Sequence, residues 1–381
     1  MNIKKHLIAP GPTQIPEDVR LVMAQAPIHH RGPEFTAVMS DVSRRLRWLF
    51  QTEHPVLCIT SSGTGGFEAV FTNFTKTGDK ILMVGGGKFS ERWGRMADTL
   101  SLDVVRLPVE WGEAVEPDAV AALLKAHPDV SMLTMCASET STGVFHPVDA
   151  VVETVRRIAP DVLVAVDGIT AVGIHDVPMD KWDIDILVSG SQKAFSLPPG
   201  LSLIAANDRA WNAAETCDHG GFYFDLPKER EAQSRGQTAY TPATSLIIGL
   251  QRVLEKFEEE GLPNLFARHA RLALATQAGL RAIGCTIFAD VPAHGVTMVR
   301  VPDGIDAPTL GAILRDHYGV TIAGGQNQLK PDHIRVGHMG FMDWSDVLIA
   351  IGAIEQALVA LGADIKLGAG LTAAQNALRK A

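Results

Sequence analysis

Short apolar runs recur along the first two thirds of the chain, at 56–60, 80–84, 104–109, 130–136, 162–166, 184–189 and 201–206. Runs of this length, rich in Val, Ile and Leu, read as buried strands. Amphipathic stretches such as 118–126 and 148–158 lie between several of them. Strands alternating with helices predict a mostly parallel sheet covered by helices on both faces. A helical region follows over 242–284, interrupted at Gly261-Leu262-Pro263. The pattern then changes. Short strands at 296–301, 320–323 and 333–336 mix with helices at 307–317 and 343–361. The expected fold class is therefore α/β, with a large domain of mostly parallel sheet sandwiched by helices and a smaller α+β C-terminal domain. The expected division is an N-terminal arm over 1–15, a large domain over 16–260 and a small domain over 261–381.

Length agrees with this division, since 381 residues exceed what one core usually organises. A net charge of −9 with no basic stripe argues against nucleic acid and anionic membrane as partners. No apolar run approaches the roughly 18 residues a membrane span needs, and the first residues do not form a signal peptide. Cys58, Cys136, Cys217 and Cys285 are widely spaced, with no C-x-x-C pair. They read as reduced, mostly buried thiols of a cytoplasmic protein rather than a disulfide frame or zinc site.

Three stretches could carry chemistry. In TSSGTGGFEAVFTNF (60–74) a strand ends, small residues turn the chain and a helix begins. Phe67, Val70, Phe71 and Phe74 give that helix an apolar face, and its free N–H groups near Gly63–Gly65 suit a phosphate. A plain glycine turn is the alternative. Glu68 breaks the dinucleotide fingerprint G-x-G-x-x-G, and no G-x-x-x-x-G-K-[ST] exists, which weakens a nicotinamide oxidoreductase. LVAVDGITAVG (163–173) delivers Asp167 at the end of an apolar strand, where ligands gather in open α/β sheets. A capping or ion-paired aspartate is the alternative. VSGSQKAFSLPPG (188–200) puts one lysine, Lys193, after the next strand and closes with apolar and rigid residues. A solvated lysine needs no such setting, whereas one that must lose its proton to react does. A phosphate cradle, a strand-end carboxylate and a neighbouring lysine are together what pyridoxal 5′-phosphate requires.

The sequence resembles the class V family of fold-type I pyridoxal-phosphate enzymes over nearly its whole length. Within that family it is most similar to the alanine–glyoxylate and serine–glyoxylate (pyruvate) aminotransferases. The likeness rests on PGPTQIP (10–16), HHRGPEF (29–35), SSGTGGFEAV (61–70), ETSTGV (139–144), VDGITAVG (166–173), DILVSGSQKAFSLPPGLS (185–202) and IRVGHMG (334–340). The resemblance implies that Lys193 condenses with the cofactor aldehyde and Asp167 pairs with the pyridine N–H. It implies that Ser62, Gly63, Thr64 and Gln192 hold the phosphate, that Thr140 lies near the phenolic oxygen, and that Ile169 and Phe89 cover the two ring faces. Phe89 stands where relatives often carry Trp or Tyr, and Thr64 where some carry His. Arg335 would clamp the substrate carboxylate, helped by the Gly11-Pro12-Thr13 turn. Thr241, or alternatively Thr238, would reach the partner subunit's phosphate in a homodimer, with Tyr240 nearby.

The expected activity is amino transfer from alanine or serine to glyoxylate or pyruvate by a ping-pong route. An arginine fork matches a single carboxylate in two parallel bonds, which suits small monocarboxylate substrates. Other amines, such as 2-aminoethylphosphonate or ureidoglycine, stay open. So does a family member that serves as a non-catalytic complex subunit, although Lys193, Asp167 and Arg335 are all retained. A desulfurase would need a reactive thiol on a mobile loop, and Cys285 in RAIGCTIFA reads as core. His29-His30 makes a poor metal site, because adjacent side chains rarely chelate together and nothing nearby completes the spacing.

Overall fold

The structure is a computed structural model and describes residues 3–380. Its main sheet has seven strands in the spatial order Val56–Thr60, Leu201–Ala206, Ile186–Gly190, Leu163–Asp167, Val130–Cys136, Lys80–Val84, Asp103–Leu107. All are parallel except Leu201–Ala206, which runs against both neighbours. The central strands are buried along their whole length. That explains why they appear in sequence as continuous apolar runs and not as alternating ones. The strand expected at 104–109 lies at 103–107, because Pro108 cannot donate to the ladder.

Helices cover both faces. Gly63–Phe74 packs Phe67, Val70, Phe71 and Phe74 into one core, joined by Trp93 and Trp211. Pro33–Phe50, Pro117–Ala126, Val148–Ile158 and Thr244–Glu260 fill the core on the opposite face. At the start of the central strand Ile186–Gly190, fully buried Asp185 accepts from Val164 N at 2.6 Å, Asn207 Nδ2 at 2.9 Å and Arg209 Nε at 2.6 Å, and also pairs with Arg156. A buried carboxylate is tolerated only with such partners.

The C-terminal elements form a four-stranded antiparallel sheet in the order Thr286–Ile287, Val296–Arg300, His333–Gly337, Ala323–Gly324. It is backed by Leu262–Ala282, Ala307–His317, Trp344–Ala360 and Ala369–Lys380, which share a separate apolar core. The single strand expected over 320–323 is two short ones. Ala323–Gly324 joins the small sheet, and Val320–Thr321 pairs in parallel with His6–Leu7. The N-terminal segment is therefore stitched to the C-terminal elements, and Ile8 is fully buried in their core. From there the chain runs on to the C-terminal ends of the main sheet's parallel strands. No helix among the described residues is long and apolar enough to cross a membrane.

Candidate active site

The site begins where parallel strands end. Ser62, in extended conformation, precedes Gly63–Phe74. The Gly66 N–H returns to Ser62 O at 2.9 Å, so those of Gly63, Thr64 and Gly65 remain at the helix end without protein acceptors among the described residues. They make an anion site. The Gln192 side-chain amide and Gly63 N both border Gly190, and the Gln192 side-chain oxygen is buried without a partner among the described residues. The Thr64 hydroxyl accepts from Arg92 at 3.1 Å. Unspent donors and a guanidinium around one small space fit a phosphate.

Gly63 is small for a reason of packing. A Cβ there would run into the Ile169 side chain. Gly63→Ala is expected to push Ile169 toward the space where a flat ring would lie. We expect pyridoxal phosphate affinity to weaken by about tenfold, on the order of 1.4 kcal/mol, as read by fluorescence titration of the apoprotein.

Strand Leu163–Asp167 carries the carboxylate. Asp167 is 5 % exposed; its Oδ1 accepts from Ile169 N at 2.9 Å and its Oδ2 takes the Cys136 thiol at 3.7 Å. Burial raises its pKa to about 7, against the Ile169 N–H, which lowers it.

Lys193 sits on a tightly tied loop after Ile186–Gly190. Ser191 N donates to Leu201 O, its Oγ donates to Pro198 O, and Leu197 N returns to Ser191 O. Phe195 and Leu197 are fully buried. The apolar residues after the lysine thus clamp the loop from beneath, which accounts for their presence in the sequence. Lys193 Nζ donates to Pro10 O at 2.6 Å, and Lys193 O accepts from the Thr13 hydroxyl at 2.9 Å. Gly11 lies so close that a Cβ there would strike Nζ. Burial, reinforced by the Arg335 charge, lowers the Lys193 pKa to about 8, and Asp167 opposes this.

Ser62, Gly63, Thr64, Phe89, Thr140, Asp167, Ile169, Gln192 and Lys193 line one cavity. Arg335 borders it from the small sheet, donating Nη1 to Thr140 O at 3.1 Å and Nε to Gly324 O at 3.0 Å. Burial lowers its pKa, and the Glu139 carboxylate opposes the shift. Tyr240 and Thr241 are not in this cavity. They line a separate surface pocket with Cys58 and Thr238. Thr238 is buried there and donates to Tyr240 O at 2.7 Å, whereas Thr241 is exposed.

Sequence reasoning missed Arg92, Trp93, Ser138 and Thr170, which share the lining. Phe89, Arg92 and Trp93 stand at i, i+3, i+4 on helix Lys88–Thr99, so a Phe89 turned inward brought the other two with it. The Arg92 guanidinium stacks 4.9 Å from the Phe89 ring centroid. Buried Glu139 fixes the start of that helix, accepting from Ser90 N at 2.9 Å, Phe89 N at 3.3 Å and the Ser141 hydroxyl at 2.6 Å. Cys285 lies in the C-terminal core, where burial pushes its thiol up to about 12. It is no desulfurase nucleophile.

Comparison with known proteins agrees with this geometry. The aminotransferase class-V family model matches residues 8–348. A "soluble hydrogenase, small subunit" of Synechococcus sp. is 36 % identical over the full length of both chains. The L-aspartate–glyoxylate aminotransferase of Paracoccus denitrificans is 34 % identical, covering 100 % of this chain and 98 % of that one. The crystal structure of ureidoglycine–glyoxylate aminotransferase from Bacillus subtilis superposes with a TM-score of 0.93 at 28 % identity, covering 100 % and 99 % of the two chains. The chain belongs to the class-V aminotransferases, enzymes that work through pyridoxal 5′-phosphate.

Proposed function

We propose that this protein moves the amino group of a small amino acid, alanine or serine, to glyoxylate or pyruvate, alternating donor and acceptor in one site. The observation that carries this reading is the meeting of Lys193, Asp167 and a helix start with free N–H groups in one cavity, with the Arg335 guanidinium at its edge. Bound there, pyridoxal phosphate would supply an electron-withdrawing ring and a carbonyl that carries the amino group between substrates.

The chain's own groups divide the remaining work. The N–H groups of Gly63 and Thr64, the Ser62 hydroxyl and Gln192 would hold the phosphate, and Asp167 the pyridine N–H. Ile169 and Phe89 would cover the ring faces, and Thr140 would lie by its phenolic oxygen. Lys193, freed by the incoming amine, would take the proton from the substrate Cα and deliver it to the cofactor's carbonyl carbon, C4′. Arg335 would hold the α-carboxylate. Its Nη2 has no protein acceptor among the described residues, so the outer side of its fork is open to substrate. Gly11 and its neighbours would close the same end. Arg335→Ala is expected to raise KM for amino acid and keto acid together by about 10–100-fold, the range of a lost charge-assisted pair. Steady-state kinetics with both substrates varied checks this, and unchanged values for both would remove Arg335 from the site.

A homodimer is part of the proposal. Tyr240 and Thr241 lie outside this chain's own cavity, on a surface from which they could serve a second copy. Four free thiols support a cytoplasmic location. The relative named as a hydrogenase subunit favours a second reading, a complex component with an idle site. Ureidoglycine and aspartate also stand as rival donors, on the names of the relatives. One experiment separates these readings. Purified holoprotein is mixed with alanine, serine, aspartate, ureidoglycine or 2-aminoethylphosphonate without keto acid. Conversion of its visible absorbance to the near-ultraviolet pyridoxamine form identifies the donor. No visible band after adding pyridoxal phosphate would favour the idle site.

A further inference from the structure

Asp167 has neighbours that the reading above leaves unused. In the parallel pair Val130–Cys136 and Leu163–Asp167, Cys136 stands directly opposite Asp167. Paired residues of parallel strands leave the sheet on the same face, so the thiol is set beside the carboxylate by register alone. Cys136 is 1 % exposed and donates to Oδ2, while Oδ1 is taken by Ile169 N. Burial and the carboxylate hold the Cys136 pKa well above the ordinary range, so the group is an S–H donor and not a thiolate.

Trp93 supplies the contrast. It is 1 % exposed, stacks on Phe67 with centroids 4.1 Å apart and shares the cavity wall with Asp167. Its Nε1–H has no partner meeting hydrogen-bond geometry among the described residues. Among the described residues, the Cys136 thiol and Ile169 N are therefore the donors on Asp167. The charged groups facing this cavity are Lys193, Arg92, Arg335 and Glu139.

We propose that Cys136 is a positioning residue for Asp167: its neutral thiol donor fixes the carboxylate and keeps it ionised, so that the shared proton stays on the cofactor's pyridine nitrogen. This rests on the functional reading above. A cation in place of the thiol would compete with the pyridine N–H for the carboxylate's charge. A neutral donor lowers its basicity without doing so. Loss of a donor makes Asp167 more basic and draws the shared proton away from the ring. The ring then withdraws fewer electrons, and the nitrogen joining Lys193 to the cofactor binds its own proton more tightly.

The test uses holoprotein reconstituted with pyridoxal phosphate labelled with nitrogen-15 at the ring. For Cys136→Ala we expect the ring signal to move toward unprotonated pyridine. We also expect the pH midpoint of the visible band to rise by about half a unit, as one weak hydrogen bond allows. Trp93→Phe, which removes an N–H that makes no hydrogen bond to Asp167, should move neither. Cys136→Ser, which restores a donor, should bring both back. A packing role would leave the nitrogen signal and midpoint unmoved in Cys136→Ala, and that result overturns the proposal. Should Cys136→Ala fail to fold, an unmoved signal in Cys136→Val, which keeps the bulk and loses the donor, overturns it alone. Wild-type protein that forms no visible band removes the functional reading and this inference with it, whereas a normal band with unmoved signals removes only the inference.

Discussion

Lys193→Ala is expected to abolish both turnover and the visible absorbance of bound pyridoxal phosphate. No other amine can take its place: the lysine loop is held by Ser191, Pro198 and Leu201 on one side and by Pro10 and Thr13 on the other. The loss should exceed about 10⁵-fold in kcat, because the residue is both the attachment point and the proton carrier, roughly 7 kcal/mol of barrier. Retained multiple turnover in this variant would sink the assignment. The same lysine gives a pH prediction. Only the neutral amine attacks a carbonyl, and burial brings its pKa down to about 8 from an ordinary value of 10.5. The rate at which apoprotein captures pyridoxal phosphate should therefore rise as pH increases, pass half-maximum near 8 and level off above it. Stopped-flow absorbance follows this directly. A rate still climbing steeply between pH 9 and 10.5 would mean that the lysine is not desolvated.

The main sheet was legible because its strands are buried on both faces, which leaves uninterrupted apolar runs such as ILMV and LVAV in the sequence. Lys193, Asp167 and the Gly63 turn were legible for a related reason. Each is a polar or small residue placed abruptly at the end of such a run. What could not be read depends on contacts distant in sequence. The pairing of His6–Leu7 with Val320–Thr321 leaves no trace in a two-residue strand. Helix Pro33–Phe50 went unmarked although its face is buried, because charged residues crowd its exposed side. Arg92 and Trp93 needed only the helical spacing from Phe89 to be found. Cys136 beside Asp167 needed the strand register, which sequence periodicity does not supply.

Asp167→Asn is the second large effect, and it separates binding from chemistry. Asparagine keeps the size of the side chain and can still accept from Ile169 N, so the cavity should retain its shape. It cannot carry the charge that holds a proton on the pyridine nitrogen. When the substrate Cα loses its proton, the electrons left behind need that positive ring. Without it the proton transfer at Lys193 has no favourable destination for charge. We expect kcat to fall by on the order of 10³-fold, about 4 kcal/mol, with cofactor affinity changed far less. The contrast with Gly63→Ala is the point of the experiment, since that variant should lose affinity first. Equal losses of affinity and kcat in Asp167→Asn would mean that the carboxylate serves mainly to seat the ring. The folded protein should also respond to pH in a defined direction. Asp167 without cofactor has its pKa raised to about 7 from 3.8. Its burial therefore penalises the apoprotein fully above pH 7, and the penalty is relieved as pH falls from 7 toward 3.8. A pyridinium partner removes that penalty by pairing with the charge. The stabilisation that pyridoxal phosphate confers on the wild-type fold should thus grow between pH 5 and 7, and Asp167→Asn should flatten that rise, because its side chain has no charge to pair.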